Sequence, residues 1–253
     1  MAEGGGRRKQ RSTGGRARAR RGPRSDGDRA QDRSNRPQKR HRRNRGDNVR
    51  DEILKLGGRD GLKYYDLLMK AADAYARDHE REALRTLRPL RDAMPDSPSV
   101  RELLGLSLYR AGHFTAAAKE LEEYTRISGA VDQLPVLMDC YRAQRRWRKV
   151  DSLWNDLRGA SASAEVVTEG RIVAAGALAD RGRVPDALKL LGRRTDRVAN
   201  PKPYHLRLWY ALADLEERSG NLPGARSLFD KILGHDPRFA DVAERLSALG
   251  RSR

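Results

Sequence analysis

The sequence has little cysteine and no long apolar run. A single thiol, Cys140, cannot form an internal disulfide or a CxxC metal knuckle, which fits a reducing compartment. No segment provides the roughly 20 consecutive apolar residues that a membrane-spanning helix requires. Residues 1–46 contain no Val, Ile, Leu, Phe, Tyr or Trp, so the early arginine pair is not followed by the hydrophobic region of an export signal. We therefore expect a cytoplasmic protein without a membrane span.

Residue patterns for catalysis and metal binding are also missing. No two of the five histidines have the HxxxH or HExxH spacing of a metal site. These histidines are His41, His79, His113, His205 and His235. Gly4 to Gly6 have neither a strand nor a helix beside them, as a phosphate-binding loop requires. Glu122 and Glu123 are adjacent, so on a helix they point about 100° apart. Cys140 lies on an apolar helix face and is expected to be buried. The sequence predicts no enzyme, no cofactor and no metal site.

Positive charge is concentrated at the N-terminus. The chain has 53 Lys and Arg against 35 Asp and Glu, a net charge of +18. Residues 1–46 hold 17 of the basic residues and four of the acidic ones, a net charge of +13. Such a segment buries too little apolar surface to offset its ordering entropy, about 1 to 2 kcal/mol per residue. We predict a disordered Arg-rich tail over residues 1–46 and a folded domain over residues 47–253.

The basic residues of the tail are candidates for binding a polyanion. Arginine dominates, and its planar guanidinium pairs with phosphate through two hydrogen bonds and stacks on bases. RNA or the ribosome is the expected partner, while an anionic membrane surface, an acidic protein and a solubilising role stay open. The clustered candidates are Arg7, Arg8, Lys9, Arg16, Arg18, Arg20, Arg21, Arg24, Lys39, Arg40, Arg42, Arg43 and Arg45.

The rest of the chain repeats one pattern of apolar, small and glycine residues. The last copy consists of Trp209, Leu212, Ala213, Gly220, Leu222, Ala225, Phe229, Ile232 and Pro237. Earlier copies begin near Ala71 and Leu104, and degenerate ones near Leu137 and Ala175. Helical spacing on both sides of a glycine predicts a helical hairpin, because glycine readily adopts positive φ. The small-residue positions, 83, 117, 150, 187 and 225, are 34, 33, 37 and 38 residues apart.

This pattern resembles the tetratricopeptide repeat, although Arg101 and Arg171 replace the first large residue in two copies. The resemblance, closest in style to basic-tailed members of the family from high-GC bacteria, implies an all-α solenoid of about five helical hairpins with a capping helix over residues 241–250. Because one hairpin buries too little apolar surface to fold alone, successive hairpins must stack. Residues 47–56 read as a short helix that either caps the first repeat or belongs to the tail.

The resemblance also implies a binding surface. In such a stack the first helices of successive hairpins line a concave face that binds an extended peptide or a helix of a partner protein. The residues placed there by their repeat positions are Tyr65, Tyr75, Glu102, Tyr109, Arg110, Asp139, Arg142, Arg207, Tyr210 and Asp214. Tyr and Arg often anchor interfaces, but Tyr75 and Tyr109 are equally suited to packing between hairpins. No Asn completes the Lys/Asn/Arg set that binds chaperone C-termini, so chaperone docking is not expected.

A second basic candidate lies within the folded part. Residues 142–149 carry five positive charges and one tryptophan, without an acidic residue between them. Such a patch can hold phosphate while Trp147 stacks on a base. Trp147 also takes the place at which Phe114 and Val184 pack the turn of their copies, which favours a packing role for its ring. Besides Arg142, the charged candidates are Arg145, Arg146, Arg148 and Lys149.

Together these features predict a non-catalytic adaptor. Its concave face binds a protein partner, and its Arg-rich arm contacts RNA, the ribosome or another polyanion. The alternative is a scaffold for protein interactions alone, in which the basic arm only aids solubility or association with an anionic surface.

Overall fold

The computed structural model describes residues 48–192, 198 and 200–251, and the regular secondary structure of these residues is helical. The tail predicted over residues 1–46 lies outside the described residues. Helix α1 covers residues 48–57, and a short 3-10 helix, Gly58–Asp60, follows it. The first and second helices of five hairpins are α2 (Gly61–Ala76) and α3 (Glu80–Ala93), α4 (Pro98–Arg110) and α5 (Phe114–Ser128), α6 (Leu134–Ala143) and α7 (Trp147–Gly159), α8 (Ala164–Asp180) and α9 (Val184–Leu191), and α10 (Pro203–Arg218) and α11 (Leu222–Leu233). Helix α12, Val242–Arg251, comes last. The predicted solenoid of about five hairpins with a C-terminal helix is confirmed.

Each hairpin turns at one residue with positive φ. Gly112, Gly182 and Gly220 adopt φ values of 76°, 78° and 87°, and Asp78 and Arg145 hold the equivalent positions at 55° and 56°. In all five turns the next residue donates its N–H to the carbonyl five positions back, which closes the first helix. Glycine accepts this conformation without strain, whereas a residue with a Cβ is disfavoured there by about 1 to 2 kcal/mol.

The two helices of each hairpin meet at the small-residue positions of the repeat. The residues at 83, 117, 150, 187 and 225 are fully buried. Leu121, Leu191 and Phe229, four residues further along their helices, are buried as well. This spacing places each pair on one helix face, so the small residue lets the backbones approach and the larger one fills the space beside it.

Helices α4 and α5 are in close contact at Gly105. A Cβ added to this residue would lie 2.7 Å from the Cγ and Cδ2 atoms of Leu121, whose side chain is fully buried. A similar contact occurs further along, where a Cβ on Gly170 of α8 would lie 2.3 Å from Leu157 of α7. These glycines are required by packing, since interiors at crystal-like density leave no room for an extra methyl group.

An ion pair occupies one position at which the sequence departs from the family pattern. Arg101, which replaces the usual large residue, is buried and donates to Glu120 at 2.5 Å and to the carbonyl of Pro95 at 2.9 Å. Arg91 of α3 donates to the other Glu120 oxygen at 2.8 Å. Through Glu120 these two arginines join the first two hairpins, and their hydrogen bonds offset the cost of burying the charges.

Short helices cover both ends of the stack. Ile53 of α1 is fully buried in the apolar core that α2 to α8 share, and Glu52 accepts hydrogen bonds from the Ser97 and Ser99 hydroxyls at the start of α4. Of the two roles left open for this segment, the structure supports capping. At the other end, Val242 and Leu249 of α12 are buried against α10 and α11, as predicted for a capping helix.

The expected burial of Cys140 is also confirmed. Cys140 of α6 is buried in the apolar core. His79 and His113 each lie immediately before the second helix of a hairpin, and His235 lies just after α11.

Replacing Gly105 with Ala tests the close approach of α4 and α5. We expect Gly105→Ala to lower the free energy of unfolding by about 1 to 3 kcal/mol, because the new methyl group must displace Leu121. Gly159→Ala is the control, since a Cβ there meets nothing within 4 Å, and it gains up to about 1 kcal/mol of helix propensity. Urea unfolding of both full-length variants measures the difference, and equal stability would contradict the packing argument.

The burial of Cys140 predicts an unreactive thiol. Burial raises the pKa of the Cys140 thiol to about 12. A raised pKa means less thiolate at a given pH, so at pH 8 only about one thiol in 10,000 is in the nucleophilic form. We expect an aromatic disulfide reagent to label the native chain at least a hundredfold more slowly than the urea-unfolded chain. Rapid labelling of the native chain would show that the thiol is accessible.

Candidate functional site

A groove crosses the first helices of three consecutive hairpins, α4, α6 and α8. Its volume is about 480 Å³. The apolar part of its lining, which we call the floor, is formed by Pro135, Val136, Val166, Ile172 and Val173, and the other lining side chains are polar or charged. The lining residues are Tyr109, Asp132, Gln133, Pro135, Val136, Asp139, Arg142, Glu165, Val166, Glu169, Ile172 and Val173. The groove therefore lies on the face formed by first helices, which is where the repeat positions predict a binding surface.

One polar chain joins the three helices of the groove. The Tyr109 hydroxyl of α4 donates to Asp139 of α6 at 2.7 Å. Arg142 donates to Asp139 at 3.1 Å and to Asp180 of α8 at 2.7 Å. Burial, followed by the bond to Asp139, raises the pKa of Tyr109 well above its usual range. Burial alone would lower the pKa of Arg142, but its bonds to Asp180 and Asp139 outweigh this effect and raise it. These groups keep Tyr109 neutral and Arg142 charged at physiological pH.

A second set of ion pairs continues the chain towards the C-terminus. Arg207 of α10 donates through Nε to Glu169 at 2.6 Å and through an outer nitrogen to Glu165 at 3.2 Å. On the opposite side, the amide of Gln133 donates to Glu102 of α4 at 2.8 Å. Each first helix in the middle of the stack is thus linked to the next by at least one polar contact between side chains.

The other predicted groove residues lie on the same succession of helices but outside the groove. The Arg110 guanidinium stacks 3.7 Å from the centre of the Tyr75 ring and donates to Asp78 at 2.8 Å, which links α4 to α2. Near the other end, the Tyr210 hydroxyl donates to Asp241 at 2.7 Å, and Arg245 of α12 donates to Asp214 at 3.0 Å. Tyr65 of α2 is partly buried against the apolar core that α2 to α8 share.

Sequence reasoning missed the residues that α8 contributes. Glu165, Glu169, Ile172 and Val173 line the groove. The fourth copy of the repeat is degenerate, so its pattern does not identify them. Counting back from the turn would have found one of them. Val173 lies nine residues before Gly182, just as Val136 lies nine residues before Arg145.

The basic residues 142–149 do not form one free patch. Arg142 belongs to the groove, and Lys149 donates to Glu122 at 2.8 Å and to the Tyr141 hydroxyl at 2.9 Å. We expected both charges to be free to bind phosphate. Instead Arg142 pairs with Asp139 and Asp180, and Lys149 pairs with Glu122.

Three arginines of that segment remain available. Within the described residues, Arg145, Arg146 and Arg148 form no ion pair, and together with Trp147 and Lys149 they line a cavity of about 320 Å³. The Trp147 ring is half-buried and lies 5.7 Å from the Arg181 guanidinium. The ring thus has a packing role, as expected, while the guanidinium groups around it face solvent.

Other kinds of site find no support in the described part of the chain. It contains no group of three or more His, Cys, Asp or Glu side chains placed to hold a metal ion. None of its helices is both long enough and apolar enough to cross a bilayer.

Comparisons with known proteins agree with this architecture. Two family models described as tetratricopeptide repeat match residues 68–131 and 206–249. The fold is similar to that of a thermophilic tetratricopeptide repeat protein from Thermus thermophilus, with a TM-score of 0.59 and 17% sequence identity over 74% of this chain and 98% of that one. The tetratricopeptide repeat domain of P58(IPK) gives a TM-score of 0.31 and 11% identity over 76% and 66% of the two chains. No curated protein sequence matches.

Tetratricopeptide repeats generally act as scaffolds for protein interactions rather than as enzymes. The two family matches lie on hairpins α2 to α5 and on α10 to α12, and the hairpins between them close their turns through the same hydrogen bond. Residues 68–131 and 206–249 therefore belong to the tetratricopeptide repeat family, and the turns of the hairpins between them follow the same pattern.

Proposed function

We propose that the chain is a non-catalytic adaptor that holds a protein partner in the groove and contacts RNA, the ribosome or another polyanion through its basic residues. The observation that carries this proposal is the open apolar floor of the groove across three successive hairpins. The Arg-rich arm over residues 1–46 and the arginines at the turn between α6 and α7 supply the attraction to phosphate.

The groove floor is the surface best suited to a protein partner. Val136, Ile172 and Val173 line it and remain partly exposed between helices whose other faces are packed. The apolar surface also recurs on α2, where Leu62 and Met69 are 60% and 42% exposed and share one helix face. Met69 lies nine residues before its turn residue, as Val136 and Val173 do. A repeated row of partly exposed apolar side chains is typical of a surface that a partner covers.

Charge introduced into the floor tests this role. We expect Val173→Lys to reduce the recovery of proteins that copurify with the tagged full-length chain at least tenfold, because a buried lysine would have to be desolvated against the partner. Quantitative mass spectrometry of copurified proteins from the source cells gives the measurement. Ala116→Lys, on the exposed face of α5, is the matched control. Equal recovery with both variants would show that the groove is not the docking surface.

The turn between α6 and α7 supports the polyanion part of the proposal. Arg145, Arg146 and Arg148 have no ion pair within the described residues, unlike Lys149. Arg145 also adopts positive φ where three other hairpins have glycine, although this conformation is disfavoured for arginine. Strained residues persist most often at functional positions. Three unpaired guanidinium groups beside one turn can contact neighbouring phosphates through bidentate hydrogen bonds.

Salt dependence of RNA binding tests both basic regions. We expect the full chain to bind labelled oligouridine with an affinity that falls steeply between 50 and 300 mM salt, by counterion release. Neutralising Arg145, Arg146 and Arg148 with Gln should lower the slope of log K against log salt by about 2, as should neutralising Arg40, Arg42 and Arg43. Fluorescence anisotropy measures each slope.

The control for this experiment neutralises three arginines that already have ion partners, Arg126, Arg183 and Arg218. If the control lowers the slope as much as the other variants, specific contacts are rejected and only total charge matters. Weak, salt-insensitive binding of RNA by every chain would favour the alternative, a scaffold for protein interactions alone.

A further inference from the structure

We infer that the groove selects a basic partner segment, in which arginine or lysine side chains alternate with apolar ones. This inference rests on the proposed role of the groove and adds the chemistry of what it binds. The apolar floor alone would accept many peptides, so the selection comes from the charged groups around it.

The first argument is the charge balance of the groove. Four carboxylates that pair with arginine lie in or against it, namely Asp139, Glu165, Glu169 and Asp180. The arginines that pair with them are Arg142 and Arg207, and each bridges two carboxylates. The immediate surroundings are therefore net negative, although the chain as a whole carries +18. A cleft with walls of low dielectric constant concentrates such a field and attracts groups of opposite charge.

The second argument is the hydrogen-bonding capacity that these pairs leave unused. An ionised carboxylate can accept about four hydrogen bonds. Glu165 accepts one at 3.2 Å from Arg207, and its side chain remains 58% exposed. Glu169 accepts one at 2.6 Å, and its side chain is 30% exposed. An incoming guanidinium can therefore bind either carboxylate without breaking its bond to Arg207.

The third argument is the position of the carboxylates relative to the floor. Glu165, Glu169 and Val173 follow one another at intervals of four residues, so they stand along one face of α8. A lysine or arginine has an aliphatic stem and a charged head. Its stem can cover Val173 and Val136 while its head reaches the glutamates one or two turns away. An acidic side chain in the same position would meet like charges at every turn.

The experiment compares three labelled twelve-residue peptides of alternating sequence, Arg-Leu, citrulline-Leu and Glu-Leu. Citrulline keeps the shape of arginine but removes its charge. We expect the full chain to bind the Arg-Leu peptide at least tenfold more tightly than the citrulline peptide at 50 mM salt, and the Glu-Leu peptide most weakly. Fluorescence anisotropy gives the dissociation constants, and circular dichroism verifies that each variant is folded.

Matched variants assign the effect to the groove. Glu165→Gln with Glu169→Gln should weaken binding of the Arg-Leu peptide at least fivefold and leave binding of the citrulline peptide unchanged. The control, Glu123→Gln with Asp186→Asn, removes two carboxylates that pair with Arg126 and Arg183 outside the groove, and it should have no effect. If the groove variant and the control weaken binding equally, the inference is overturned.

The outcomes also separate this inference from the proposed function. If the citrulline or Glu-Leu peptide binds as tightly as Arg-Leu, and Val173→Lys abolishes that binding, the groove is a docking site but does not select basic segments. If no peptide binds the full chain, the inference is overturned, while the loss of copurified partners in Val173→Lys still decides the role of the groove.

Discussion

The structure depends on the close contact between the two helices of each hairpin. Ala117 and its equivalents are fully buried, and the absence of bulk at these positions lets the helix backbones approach until the larger neighbours interlock. Because dispersion and burial of apolar surface act only at such short range, a bulky residue here would separate the helices and weaken every contact along them. Gly105 is the extreme case within a hairpin, where even one added methyl group is too large, and Gly170 of α8 is the equivalent case against α7 of the preceding hairpin.

The contact within hairpins determines what the faces between hairpins can do. Since one face of each first helix is packed into the core, the opposite faces of α4, α6 and α8 are left side by side. Polar side chains there join one first helix to the next, as in the chain from Tyr109 through Asp139 and Arg142 to Asp180. These contacts hold the helices in a fixed order, so the groove between them is formed before any partner arrives.

Charge is divided between the groove and the turn in a way that total composition hides. Most of the positive surplus lies in residues 1–46, and within the described part unpaired arginines stand at the turn between α6 and α7. The groove, by contrast, has more carboxylates than arginines. A groove and a turn of opposite sign can engage two different partners, because a ligand attracted to one is repelled by the other. This division is the physical basis of the adaptor that we propose.

The sequence by itself determined the family, the number of hairpins and the burial of Cys140, because each depends on local spacing. Apolar periodicity, the turn glycines and the step of about 34 residues are all readable within one hairpin. The sequence also placed Tyr109, Asp139 and Arg142 on the face formed by the first helices, since residues at equivalent repeat positions share a face. Only the tertiary structure decided which charges are free. Arg142 and Lys149 are neighbours of Arg145 and Arg146 in the chain, yet their partners, Asp180 and Glu122, lie 38 and 27 residues away. It also decided that α8 lines the groove through Glu165 and Glu169, and that Arg101 is buried against Glu120. Electrostatic contacts depend on distances in space, and a linear pattern of residues does not contain those distances.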